Sequence, residues 1–209
     1  MVIGLLTLTA IPTVTGVGQA VSAQKRQNAA SKEQEKFHLT AVVEHHDGTE
    51  EPAGTCILKD GKLMLQGPGQ AVAGGHKFCG FYFKYPSEEQ HLGLVSSVAD
   101  GQPTLNWIYV NRDTRAVEHG TRKSTVGQIV GPWGWAEDER FLTLAGDPGG
   151  FVAVQEEPDG AAERWSVFWG RGGDSKEQGK GSQRDLRRVK LFRKPLLGME
   201  SSYVRDGGQ

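Results

Sequence analysis

A chain of 209 residues, 37% hydrophobic and 23% charged, holds enough apolar material for a core and too little charge for a disordered chain. Its length favours one domain with appendages over two full domains. A formal net charge of -1 excludes a global field that would draw the protein to nucleic acid or to an anionic membrane.

Residues 2–17 are apolar apart from threonines, and Pro12 and Gly16 interrupt them. The stretch is too short to span a bilayer, which takes about 20 apolar residues. Val21-Ser22-Ala23 has the small-residue pattern of a cleavage site, so residues 1–23 are a candidate signal peptide. Lys25-Arg26 follows as a candidate dibasic processing site, but no Lys or Arg precedes the apolar stretch. The competing expectation keeps the segment. Residues 18–37 are rich in Gln, Ala, Lys and Glu and predict a short N-terminal helical arm, with Gly16, Ala20 and Ala23 near one face. The first reading places the protein outside the cell. The second keeps it inside, with peripheral membrane contact through residues 1–23.

From His38 the texture turns to short β-branched and alternating runs. Strands are expected at 38–44, 55–59, 62–66, 77–85, 92–98, 104–110, 115–119, 125–130, 140–144, 151–156, 164–169 and 186–192. Polar or Gly/Pro-rich loops separate them, including 45–54 and 67–75. Asp60-Gly61 between two apolar runs predicts a two-residue hairpin, because both turn positions accept positive φ. No long amphipathic helix follows Phe37, so parallel crossover units are excluded and an all-β fold is expected, a mainly antiparallel β-sandwich or barrel. The domain spans 38–198, with a flexible glycine-rich loop at 170–183 and a loose tail at 199–209.

Thr9-Ala10-Ile11-Pro12-Thr13-Val14-Thr15-Gly16, running into Gln24-Lys25-Arg26-Gln27-Asn28-Ala29-Ala30, resembles the start of uncharacterised proteins of filamentous fungi. The resemblance covers the N-terminal fifth of the chain. It implies a fungal source and brings no activity, cofactor or site residue.

Motifs that carry chemistry are scarce. Gly173 to Gly181 fails as a phosphate-binding loop, because Gly173 and Gly179 stand one residue too far apart and Gly181 replaces the magnesium-ligating Ser or Thr. There is no Gly-x-Ser-x-Gly elbow. His45-His46-Asp47 is the densest set of metal ligands, but neighbours in a strand point to opposite faces, and no metal or cofactor is expected. Cys56 and Cys79 are one candidate disulfide, conditional on an oxidising compartment.

Aromatic and basic residues supply the candidate binding positions. Trp107, Trp165 and Trp169 read as core fillers. Trp133 and Trp135 flank Gly134 in a Gly/Pro-rich turn and are the candidate stacking platform at a loop rim. In the basic run 184–194, Arg188 and Lys190 fall on one strand face and Val189 and Leu191 on the other. The favoured function is a non-enzymatic binding or protein-interaction domain positioned by its N-terminal arm. Another protein is the first choice of partner, carbohydrate the second, and nucleic acid is disfavoured. Two alternatives stay open: a secreted effector-like or carbohydrate-binding protein with one disulfide, and a hydrolase whose site is assembled in space.

Overall fold

The computed structural model describes residues 33–45, 47–67, 74–99, 104–156, 164–170 and 185–196. The chain divides into Met1–Gln34 and Glu35–Gln209, and the architecture below is that of the second unit.

In chain order the described strands are β1 (Phe37–Glu44), β2 (Glu50–Lys59), β3 (Lys62–Gln66), β4 (His76–Lys77), β5 (Gly80–Lys84), β6 (Leu92–Ser97) and β7 (Leu105–Val110). They continue as β8 (Val117–Gly120), β9 (Trp133–Trp135), β10 (Leu142–Leu144), β11 (Phe151–Glu156), β12 (Arg164–Trp169) and β13 (Leu186–Pro195). All of their pairings are antiparallel. β1 pairs with β2, β2 with β3, β3 with β12, β12 with β11, β11 with β13, and β13 returns to β1. That circuit is a closed barrel, so its strands leave no free edge within the ring. β5 to β8 form a meander whose ends join the ring through Phe37↔Gly80 and Lys62↔Glu118. The β9–β10 hairpin packs against β6 and β13.

Local pattern explains the strands. In β1, Phe37, Leu39 and Ala41 are buried while His38, Thr40 and Val42 are less so, the period of two that a half-buried strand requires. In β13, Val189, Leu191 and Arg193 point inward. One core gathers Phe37, Leu39, Phe78, Leu94, Trp133, Phe151 and Leu191 from the ring, the meander and the hairpin. Each such side chain contributes roughly 1.5–3 kcal/mol on burial. At the hairpin turn Asp60 (φ 50°) and Gly61 (φ 77°) take the two left-handed positions expected of them.

Four expectations need correction. The polar stretch 45–54 is not all loop, since β2 begins at Glu50. Pairing with β1 (Val42↔Pro52, Glu44↔Glu50) overrides the local Pro and Gly, at the cost of an irregularity between Ala41 and Val42. The expected strand 77–85 breaks at Phe78 and Cys79, because Phe78 turns into the core and donates its N–H to the Cys56 carbonyl at 3.0 Å. The expected strand 125–130 does not form: Thr125 closes a 3-10 turn over Arg122–Thr125, a turn follows, and only Ile129 still bridges to Val110. There the Thr125 hydroxyl donates back to the Arg122 carbonyl at 2.8 Å, the local competition typical of Ser and Thr. Finally, Phe37 opens β1 instead of closing an arm; the rest of the helical arm, the signal peptide over 1–23, most of the 170–183 loop and the 199–209 tail lie outside the described residues.

The seam between β1 and β13 contains one buried charge. Arg193 is 6% exposed and ion-paired to Glu35. Its guanidinium sits over the rings of Trp135 (4.8 Å) and Phe37 (5.6 Å), contacts worth roughly 2 kcal/mol when desolvated. A buried cation is tolerated only with such partners. Replacing Glu35 by Ala leaves the guanidinium without its carboxylate; urea denaturation should show a loss of about 3 kcal/mol with an unchanged m-value.

Candidate functional site

The barrel wall is interrupted where β1 and β2 fall out of register. Gly54, opposite Ala41, has φ 140°, and a Cβ there would meet the Gln66 carbonyl oxygen at 2.5 Å. Only glycine lets the β2 backbone pass so close to the end of β3. Beside this irregularity lies an open cleft of about 800 Å³ across the outward faces of β1, β2 and β13. Thr40, Val42, Pro52, Thr55 and Phe192 line it, with Glu50, Lys77, Arg140 and Lys194 carrying its charge.

Arg140 is held from both ends. Its backbone N–H donates to Asp138 Oδ1 at 3.0 Å, and its carbonyl accepts from the Arg193 N–H at 2.8 Å. The guanidinium lies over Phe141 (5.0 Å) and Phe192 (5.5 Å) and donates to Glu50 Oε2 at 3.1 Å. Those two phenyl rings meet edge to face at 5.9 Å, and Lys190 Nζ stands 5.3 Å from the other cation's ring, Phe141. Lys190 is also paired with Glu44. Lys77 and Lys194 are exposed and make no ion pair among the described residues. Three cations therefore face one carboxylate inside the cleft.

The basic residues singled out in the sequence come to this side. Arg188 and Lys190 project outward from β13, in one row with Phe192 and Lys194. The indoles do not. Trp133 is 2% exposed, stacked near Phe151, and paired within β9–β10; it offers no outward stacking face. Trp135 packs edge-on against Phe37 (4.6 Å) and Tyr82 (4.9 Å). A Gly/Pro-rich flank read as a rim; the hairpin pairing turns it inward. Cys56 and Cys79 are free thiols, so the candidate disulfide is not formed. Burial pushes the Cys56 thiol far up, which keeps it protonated and inert. The sequence offers no signal for Arg140 and Glu50, and it shows Phe192 and Lys194 only as part of the basic run 184–194. Extending the alternation of Arg188 and Lys190 by two more steps would have placed Phe192 and Lys194 on the same face.

A second polar cluster bears on hydrolase chemistry. Glu156 Oε1 accepts from Lys62 Nζ at 2.7 Å and from Ser166 Oγ at 2.6 Å. Ser166 is fully buried, so its hydroxyl is spent on the Glu156 carboxylate and presents no surface to a substrate. His45 pairs with Glu51 at 3.0 Å, Asp47 accepts from Thr49, and His46 lies outside the described residues. No group of three or more His, Cys, Asp or Glu suited to a metal ion occurs among the described residues.

A closed antiparallel barrel that carries an open, charged cleft on its wall is the build of a binding domain. The chain belongs to the fungal β-trefoil domain family, whose model matches residues 16–196. No curated protein and no solved structure matches it. The all-β class and the likeness to fungal proteins both stand on this match, and membership fits a non-enzymatic binding domain. β-Trefoil domains commonly bind proteins or carbohydrates.

The Glu156 cluster joins β3, β11 and β12 at the ring. Burial raises the carboxyl, but hydrogen bonds from Lys62 and Ser166 and the charges of Lys62 and Arg164 outweigh it and hold the group below its ordinary 4.5. Because the folded value is depressed, the resulting stability is present above about pH 4.5 and is lost as the pH falls through the folded value. Urea midpoints at about pH 6 and about pH 3 should therefore drop more for the native chain than for Glu156→Gln.

Proposed function

We propose that this chain is a non-enzymatic binding domain whose partner is another protein, gripped in the cleft across β1, β2 and β13. The observation that supports this reading is the cleft's composition: an apolar floor of Val42, Pro52 and Phe192, hydroxyls from Thr40 and Thr55, and an aromatic-backed Arg140. Arg and aromatic side chains together are what protein interfaces concentrate. The openness of the cleft suits an extended segment of chain better than a small enclosed ligand.

Carbohydrate binding is the second reading, and a different surface favours it. On the meander, Trp107 lies so close over Gly93 that a Cβ there would meet the indole at 2.6 Å. Phe83, 51% exposed, stands 6.1 Å from that indole. An aromatic plane beside an exposed ring is a surface on which a sugar face stacks.

Thr40→Trp fills the cleft from an outward position on β1, and Phe83→Ala alters only the meander surface. Proteins retained from a fungal extract by the native chain should be lost with Thr40→Trp and kept with Phe83→Ala. If Thr40→Trp changes nothing, while Phe83→Ala abolishes capture on a glycan panel, the protein reading gives way to the carbohydrate one.

A further inference from the structure

Resting on the cleft reading, we infer that the cleft takes an acidic segment of a partner chain, and that Glu50 occupies Arg140 in the place of the partner's carboxylate.

Three features of the cleft carry this. The first is charge. Lys77, Lys194 and Arg140 are opposed within it by Glu50 alone, and the two lysines have no ion-pair partner among the described residues. The chain as a whole is at -1, so this local excess of positive charge is a property of the cleft and not of the protein. The second is the preparation of Arg140. With Phe141 and Phe192 beneath it and its backbone tied to Asp138 and Arg193, the guanidinium is oriented before anything binds. A planar fork fixed in this way matches a carboxylate with two parallel N–H···O bonds and little further loss of side-chain freedom. The third is that Arg140 already holds a carboxylate. Glu50 bonds it at 3.1 Å, and both groups are partly exposed, 49% and 32%. An exposed pair of this kind is worth only roughly 0–1 kcal/mol, so a carboxylate arriving with further contacts to Lys77 and Lys194 displaces it readily.

The flanking charges argue for acidic peptide over nucleic acid. Glu44 and Glu51 stand along the same strand ends, held by Lys190 and His45. A phosphate backbone carries charge at every step and would run against them, whereas a peptide can leave uncharged residues at those points. Glu50 thus acts as a built-in competitor that sets a threshold on how acidic a segment must be to enter.

The test uses the full chain and a short labelled peptide of alternating Glu and Ser, followed by fluorescence anisotropy. Its Gln/Ser counterpart and a short single-stranded DNA serve as competitors. The native chain should bind the acidic peptide with an affinity that falls as salt rises. Glu50→Gln should tighten binding about fivefold, and Lys194→Glu should weaken it about tenfold. Glu88→Gln, in the exposed loop between β5 and β6 and away from the cleft, should leave it unchanged, and thermal melts of all variants should coincide within a few degrees. No binding of the acidic peptide, equal binding of the Gln/Ser peptide, or an unchanged or weaker affinity in Glu50→Gln overturns the inference. So does DNA that competes more strongly than the acidic peptide itself. If any of these occurs while Thr40→Trp still abolishes capture of protein partners, the cleft remains the binding surface and only its acidic ligand is refuted; if Thr40→Trp is silent, the surface itself is refuted.

Discussion

Closure of the ring by β1 on β13 is the constraint on which the structure rests. The two strands pair over Phe37↔Pro195 to Val42↔Lys190, joining the first described strand of the domain to the last. Without that seam β13 would keep only β11 as a partner and have one free edge, and β1 would expose Phe37, Leu39 and Ala41. A contact between such distant parts of the chain is entropically expensive to form and strongly cooperative once made. The buried Arg193, held by Glu35 and backed by Trp135 and Phe37, sits at this seam and ties the ring to the β9–β10 hairpin.

The cleft follows from the same closure. β1 must serve β13 on one side and β2 on the other, and its two pairings do not run in step. The mismatch is absorbed between Ala41 and Val42 and at Gly54, and the wall opens there. Side chains that an unbroken sheet would have packed flat, among them Thr40, Phe192 and Arg140, instead frame a hollow. A structural irregularity and a binding surface are thus one feature, as β-bulges often are.

Much of the fold was legible because much of it is local. Strands β11 and β12 were bounded correctly as short apolar runs set off by Gly/Pro turn signals, and Asp60-Gly61 announced its turn by composition. What could not be read depends on partners far along the chain. Pro52 and Gly54 look like loop residues until β1 is set beside them. Phe78 belongs to an aromatic run that reads as a continuous strand, yet the core removes it. Trp133 and Trp135 misled for the same reason: Gly and Pro beside them describe a turn, but only the pairing with Leu142–Leu144 decides which way the indoles face. At the site, the basic face of β13 was visible in period two, while Arg140 and Glu50 belong to it only through the cleft's three-dimensional walls.

The Leu196 N–H donates to the Lys36 carbonyl at 3.0 Å, so the polypeptide arrives at the barrel and departs from it at one corner. A body whose two leads emerge side by side behaves as a cassette. Such a body can be inserted into a surface loop of a host protein with little separation between its two junctions. A tug on both leads bears first on the β1–β13 seam where they meet.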